Sequence, residues 1–505
     1  MEVINTFMTW IFKNRIGQIE KFKNQPIEVQ REILFKLIHM AKDTRFGKKY
    51  HFNSISSYSD FCRQVPVHDY EQMMPYIEDT MKGTQNVIWP SDINWFSKSS
   101  GTTGARSKFI PVSPESLEDC HFKGGKDMLS LYITNYPETR LFTGKSLSIG
   151  GSHQINHLDQ NKNSYYGDIS AVIMQNLPMW AQFARTPSLE TALMSEWEEK
   201  IERMARETIK ENVTSLTGVP TWTLVLLQRI LDITQSQNIK EVWPDLEVFF
   251  HGAVAFGPYR HLFHELIPTG DMHYMETYNA SEGFFGIQDQ KESEDLLLML
   301  DYGIFYEFIP MEEWDRENPK CIPLEEVAVD QNYAIIITTN AGLWRYKIGD
   351  TVKFTSLSPY RIRITGRTKH FINAFGEEVI VENAEKAMEK ACKELHTSIK
   401  NFTAAPIYYG DKENQGAHEW VVEFTFPPKD KELFRDKLDQ YLREINSDYD
   451  AKRYKDMVLK KPIVHFAREG LFEKWLKSKG KLGGQNKVPR LSNNREYIDE
   501  IIKFL

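Results

Sequence analysis

With 505 residues, 41% hydrophobic and 26% charged, the chain has ample material for a buried core and for about two to four domains. Lys and Arg total 62 against 70 Asp and Glu, and the net charge of −8 removes the general case for a nucleic-acid partner, leaving room only for local basic patches around a small anion. No apolar run approaches membrane-spanning length, and Cys62, Cys120, Cys321 and Cys392 show no metal-ligand, redox or disulfide-framework spacing, so a reducing compartment, the cytoplasm, is expected.

Val3, Ile4, Phe7, Met8, Ile11 and Phe12 lie at helical spacing without a secretory n-region, so a core-covering helix is expected there. Pro26 opens a helix to Ala41, stopped near Gly47, and shorter helices are expected over 57–62 and 67–79. A strand at 94–96 precedes the polar loop 97–108, and 144–152 is a strand running into a glycine turn. Residues 189–211 have the apolar stripe of one charged amphipathic helix. A strand end at Leu216–Pro220 then leads into a buried helix from about Thr221, and strands follow at 248–252 and 273–278. Segments 296–309, 333–339, 351–355 and 360–365 are successive strands. After Gly376 the pattern becomes helix 378–395, strands 403–409 and 420–426, helix 429–445, strand 463–466 and helix 471–476, a separate α/β unit of about 120 residues. The fold class expected is α/β (α+β) with more than one sheet.

The loop Ser97-Lys98-Ser99-Ser100-Gly101-Thr102-Thr103-Gly104-Ala105-Arg106-Ser107-Lys108 combines glycines, hydroxyls and cations. Glycines let backbone approach an anion, hydroxyls and amides donate, and Lys or Arg balances charge; a polar surface turn is the plain alternative. A P-loop is excluded, because Arg106 stands where the second glycine would fall and the Lys-Ser/Thr ending is missing. Tyr278-Asn279-Ala280-Ser281-Glu282-Gly283 offers an aromatic surface and one carboxylate suited to Mg²⁺ beside phosphate oxygens, or else a turn with a solvated Glu. In Trp344-Arg345-Tyr346-Lys347-Ile348-Gly349-Asp350 an Asp after glycine can accept both ribose hydroxyls; an ordinary Gly-Asp turn is equally open. Gly366-Arg367-Thr368-Lys369 opens a stretch to Glu377 between the two expected units, where a basic solvated linker is the alternative.

In this order the four stretches resemble the adenylate-forming superfamily: its Ser-Gly-Thr-Thr-Gly loop, its Tyr-Gly-x-Thr-Glu and Tyr-x-x-Gly-Asp motifs, and its Gly-Arg-x-Asp/Lys hinge. Lys108 lies one residue farther from Gly101 than in the general pattern, and the proline before that lysine is absent. With Asn-Ala-Ser-Glu at 279–282, these departures resemble the Gretchen Hagen acyl-acid amido synthetase family in its bacterial form. Thr44-x-Phe46-Gly47, Val65-Pro66, Tyr70, Pro75-Tyr76-Ile77 and Gln485-Asn486-Lys487-Val488-Pro489-Arg490 agree with it, so the likeness runs along nearly the whole chain.

That resemblance implies a firefly-luciferase-like fold with a large N-terminal adenylating domain over 1–368, a hinge at 369–377 and a small mobile C-terminal domain over 378–505. It implies ATP and Mg²⁺, with Ser99, Ser100, Gly101, Thr102 and Thr103 on the phosphates, Ala253 and Tyr278 beside the adenine, and Asp350 on the ribose. Ser281, Arg367 and the hinge Lys369 join the nucleotide set; Glu282 ligates the metal, and Glu282, Lys108 and Lys487 carry the catalysis. For the acid it implies Tyr132, His153, Gly218, Val219 and Trp222, with the Met174–Trp180 stretch, although each is equally an ordinary core residue. The reaction implied is adenylation of a small carboxylic acid and transfer to an amine, expected to be an amino acid, by a monomer or weak homo-oligomer. An acyl-CoA synthetase using the same adenylate and a catalytically silent nucleotide-binding scaffold are the alternatives.

Overall fold

The computed structural model describes residues 12, 15–99, 108–150, 156–158, 161–194, 196–253, 256–268, 270–314, 316, 319–368, 371–408, 416–456, 458–479 and 489–505. The expected N-terminal helix lies almost wholly outside them. Helix Pro26–Ala41 has proline in its first turn and buries Val29, Leu34, Leu37, Ile38 and Ala41 along one face. Gln30 on that face is buried at no cost in hydrogen bonds: its amide donates to the carbonyls of Leu300 and Ile304 and accepts from the N–H of Tyr306.

The strands follow in chain order as β1 (Trp95–Ser99), β2 (Lys108–Val112), β3 (Lys145–Ser148), β4 (Asn156–Leu158), β5 (Asn161–Gly167), β6 (Arg185–Thr186), β7 (Val213–Gly218), β8 (Val248–Gly252), β9 (His273–Ala280), β10 (Gly283–Ile287), β11 (Leu296–Leu298), β12 (Ile304–Pro310), β13 (Ile322–Pro323), β14 (Asn332–Thr339), β15 (Tyr346–Leu357) and β16 (Tyr360–Arg367). The small pair β17 (Phe371–Ile372) and β18 (Val379–Ile380) precedes β19 (Ser398–Ile407), β20 (Ala417–Phe426) and β21 (Ile463–Ala467). One twelve-stranded sheet runs β13-β12-β14-β15-β16-β11-β10-β9-β8-β7-β3-β6, and a four-stranded sheet runs β2-β1-β5-β4. From β9 to β6 the large sheet is parallel, and every residue of β8 is buried, as a strand covered on both faces requires. From β10 onward neighbours are antiparallel, and β15 alternates between buried and half-buried positions.

The last sheet, β19-β20-β21, is covered on both faces. Trp420, Val422 and Phe424 join the cluster of Met388, Phe434 and Leu438, whereas Val421 between them packs with Phe472, Trp475 and Ile498. The first of these clusters continues through Phe375 to Tyr259, Phe249 and Leu216 of the large sheet's side. Phe371, Ile372, Ala374 and Phe375 are therefore buried, which corrects the alternative of a solvated linker.

Two other expectations change. The single helix over 189–211 is two, Leu189–Ala192 and Trp197–Thr208, because Glu207 accepts from the Ser188 N–H and the Thr191 hydroxyl and folds the first piece back on the second. The strand over 296–309 is split into β11 and β12 at a turn where Gly303 has φ +67° and Asp301 pairs with Arg15 and Lys123. Among the described residues no helix is long and apolar enough to cross a membrane.

Candidate active site

Asp350 is set by a bulge. On β14 Ala334 pairs with Thr351 and Ile336 with Lys347, so two residue steps on one strand face four on the other. The surplus holds Gly349 at φ +93°, a conformation natural only to glycine, and turns Asp350 opposite Arg367 of β16. One carboxylate oxygen of Asp350 accepts from Arg367 Nε at 2.7 Å and the other from the Tyr278 hydroxyl at 2.7 Å. Burial, reinforced by Asp350, holds the Tyr278 hydroxyl well above its ordinary range, so it stays neutral and donates. Burial opposes the Arg367 charge, but Asp350, Glu378 and Glu282 outweigh it and raise its pKa. Two lone pairs of Asp350 remain for a ligand's hydroxyl groups. The alternative of an ordinary Gly-Asp turn between two strands is corrected: Gly349 and Asp350 lie in a bulge within one continuous strand.

Beyond Tyr278, β9 and β10 form a hairpin with Ser281-Glu282 as its two-residue tip, Ala280 pairing with Gly283. Ser97 of β1 donates to the Ser281 hydroxyl at 2.8 Å, tying this tip to the strand that enters the polar loop. Pairing of Ser99 with Lys108 holds both ends of that loop. Burial raises the Glu282 carboxyl, Lys108 draws it back down and Asp350 raises it further. Lys108 itself lies 5.5 Å from the ring centre of Tyr70, whose hydroxyl accepts from the Phe109 N–H. A cleft of about 70 Å³ runs between Tyr70, Lys108, Trp314, Lys347, Arg367 and Phe371. Lys347, 5.1 Å from the Trp314 ring, and Tyr346, whose buried hydroxyl has no partner among the described residues, carry no role assigned from the sequence. Both lie within the Tyr346–Asp350 stretch, which was the only available signal.

Beside this corner β8 ends at Gly252, where a Cβ would meet the Thr277 carbonyl at 2.5 Å. The exposed Ala253 that follows has φ +70°, a strained conformation of the kind concentrated at functional sites. Gly218 ends β7, Val219 caps helix Pro220–Thr234 with proline at its first position, and Trp222 lies in its first turn. The Lys452 ammonium of the C-terminal unit sits 3.3 Å from the Trp222 ring centre. Burial pushes that amine from 10.5 down to about 7, although Asp448, Glu377 and Asp168 favour its charge.

The structure thus brings Tyr278, Ser281, Glu282, Lys108, Asp350 and Arg367 together, with Ala253 at a neighbouring strand exit and Gly218, Val219 and Trp222 at the next. It does not bring Tyr132 there. Tyr132 is buried with its hydroxyl on Glu247 and His273, at the entry of β8 and β9 rather than their exit. The Ser99 side chain, Ser100, Gly101, Thr102, Thr103, His153, Lys369 and Lys487 lie outside the described residues. Among the described residues no group of three His, Cys, Asp or Glu side chains could hold a metal by itself.

Three family models match in register with this architecture: the GH3 family N-terminal domain over residues 15–272, the central domain over 297–367 and the C-terminal domain over 382–496. An indole-3-acetic acid-amido synthetase of Arabidopsis thaliana, GH3.3, is 23% identical, covering 94% of this chain and 90% of its own length. The 4-substituted benzoates-glutamate ligase GH3.12 of the same plant is 22% identical, covering 94% of each chain. The solved GH3.15 acyl acid amido synthetase in complex with 2,4-DB superposes with a TM-score of 0.63 at 16% identity, over 97% of this chain and 96% of that one. A 2-hydroxyisobutyryl-CoA ligase superposes with a TM-score of 0.57 at 13% identity, over 94% and 92%. The architecture is that of the adenylate-forming ligases.

Proposed function

The chain belongs to the GH3 family, and from that premise we propose that it is an ATP-dependent acyl-acid amido synthetase that joins a small carboxylic acid to an amino acid. The observation that carries this reading is the corner in which Asp350, held by Tyr278 and Arg367, stands beside the Glu282 tip and the two ends of the polar loop. Asp350 takes the ribose hydroxyls, and Ser99 to Thr103 with Lys108 take the phosphates. Ala253 and Tyr278 flank the base.

In the first half-reaction a carboxylate oxygen of the acid forms a bond to the α-phosphorus while the α–β phosphoanhydride bond breaks and pyrophosphate leaves with its electron pair. Positioning and cations provide most of such catalysis. Lys108 and Lys347 line one cleft and are assigned to that negative charge, and Lys487 is assigned to reach the same oxygens. A single carboxylate facing a lysine suits an ion held mainly by phosphate oxygens, so Glu282 is the residue to hold Mg²⁺, which when bound supplies charge neutralisation there. In the second half-reaction the amine nitrogen bonds to the acyl carbon, AMP leaves with the carbon–oxygen pair, and the nitrogen loses a proton. We divide the chain at 1–368 and 378–505, with Lys369 in the hinge, so that rotation of the smaller unit re-forms the cleft and excludes water from the adenylate.

The test is ATP–pyrophosphate exchange across a panel of acids, followed by mass spectrometry of products offered each amino acid or coenzyme A. Amides are expected. Thioesters alone would make the protein an acyl-CoA synthetase, and no exchange with any acid would leave a silent scaffold.

A further inference from the structure

Three arginines are buried in the described residues: Arg185, Arg345 and Arg453. Arg345 grips Glu307 through two bonds of 2.8 and 2.7 Å, and Arg453 grips Asp439 at 2.7 and 2.9 Å. Among the described residues Arg185 has no such partner. It is 7% exposed, its Nη2 meets only the Met174 sulfur at 3.2 Å, and its Nε has no hydrogen-bond partner. Burial alone acts on this guanidinium and lowers its pKa; no acid draws it back. A thioether is a weak acceptor, so among the described residues the buried Nε and Nη2 edge of this charge is poorly compensated, an arrangement that folding penalises.

Its position gives that charge a use. Arg185 pairs with Ser146 in the register of β6 and β3, and so shares a sheet face with Ser146 and with Thr217, whose hydroxyls are 3.5 Å apart. Met174, which covers the guanidinium, also abuts Gly150: a Cβ there would meet its terminal methyl at 2.4 Å. Ile149 before that glycine packs against Gly218. One flexible side chain therefore separates Arg185 from the strand exits assigned to the acid. From β6 to β9, where Tyr278 meets Asp350, there are four strand steps of about 4.8 Å, roughly 19 Å in all. That is too far for Arg185 to hold the carboxylate being adenylated, and is suited to the opposite end of the acid.

We propose that Arg185 is a specificity-determining residue that binds an anionic group at the remote end of the acid, so that dicarboxylates are the preferred substrates. This rests on the amido synthetase reading. Met174 turns aside, and the second carboxylate takes the donors that now face sulfur, with the Ser146 and Thr217 hydroxyls beside it.

The experiment compares adipate with hexanoate, and terephthalate with 4-methylbenzoate, in ATP–pyrophosphate exchange by the full chain without any amine. The dicarboxylate of each pair is expected to lead by about 30-fold in kcat/KM, mostly through KM. Arg185→Met is expected to remove that lead, and Arg185→Lys to restore part of it. Arg185→Met should also melt no lower than the parent, since an apolar isostere replaces an uncompensated charge, and adipate should raise the melting temperature of the parent alone. Exchange with equal preference in the parent, or a preference that survives Arg185→Met, would overturn the role of Arg185 while leaving the ligase reading intact. So would unchanged exchange in Arg185→Met together with a raised KM for the amino acid in a separate amide-formation assay, which would assign the guanidinium to the acceptor's carboxylate. No exchange with any acid would overturn the ligase reading and this inference with it.

Discussion

At the corner proposed for the ribose, Asp350 and Arg367 hold each other's charge directly, whereas at the end proposed for the acid the cations Lys452 and Arg185 meet a ring and a sulfur. Asp350 is bonded to both Tyr278 and Arg367, and Arg367 reaches on toward Glu378 at 3.8 Å. Lys452 lies on the Trp222 ring, with Asp448, Glu377 and Asp168 acting on its charge, and Arg185 lies against Met174. A ligand common to every turnover rewards a site whose polar groups are already oriented before it arrives. A site that must discriminate among acids gains by leaving its polar groups to be completed by the correct ligand, because a wrong one leaves them buried and unsatisfied. The preformed corner and the unfinished end should therefore fail differently when their residues are changed.

The largest effect is expected at Asp350. Asp350→Ala removes the proposed ribose acceptor and leaves Arg367 and the Tyr278 hydroxyl without their shared partner, so ATP affinity should fall by about 100-fold or more. Unchanged affinity in isothermal titration would remove Asp350 from the nucleotide site and break the comparison at its firmer half. Glu282→Ala should separate rate from binding within that half: exchange slows by about 100-fold at limiting Mg²⁺ while ATP affinity changes little. An equal loss in both quantities would make Glu282 a binding residue only. Tyr278→Phe is gentler, since it removes one donor and leaves Asp350 paired with Arg367. About ten-fold weaker ATP binding is expected, with dicarboxylate preference untouched; a shift in that preference would mean the two ends are not independent.

In the parallel half of the fold β8 was legible because it is a continuous apolar run, Val248-Phe249-Phe250, ending in glycine. Other elements owe their form to partners far along the chain. β4 and β5 are polar, Asn-His-Leu and Asn-Lys-Asn-Ser-Tyr-Tyr-Gly, and are strands because β1 pairs with Tyr165 to Gly167. Helix Lys123–Asn135 carries two adjacent glycines near its start, a poor helical signal, yet Gly124 is required where Phe284 would meet a Cβ at 2.6 Å. The residues proposed for the nucleotide stand out in the sequence for a related reason: they lie in short stretches whose residue types suggest their chemistry. Arg185 and Lys452 lie in no motif. Their meaning comes from burial beside Met174 and Trp222, contacts between segments that no local spacing records.

Lys452 gives the smallest effect and tests the acyl end without any substrate. Its amine falls from 10.5 to about 7 on burial, against the pull of Asp448, Glu377 and Asp168. Between those two values the unfolded chain binds a proton that the folded chain does not. Stability therefore rises with pH across this window, and below pH 7 the cost of burying the charge is fully present. Lys452→Met removes the titrating group and keeps an apolar chain over Trp222. In urea unfolding from pH 7 to pH 10, parent stability should gain on that of the variant by about 1 kcal/mol per pH unit or less. The sign separates this lysine from the depressed carboxyl of Glu377 beside it. There, bonds from His418 and the Phe375 N–H outweigh burial, so its contribution is lost only as acid protonates it. A difference between parent and Lys452→Met that stays constant over this range would mean that the ammonium is solvated. The C-terminal unit would then not rest on the acyl end in this arrangement, and only the ribose corner would remain preformed.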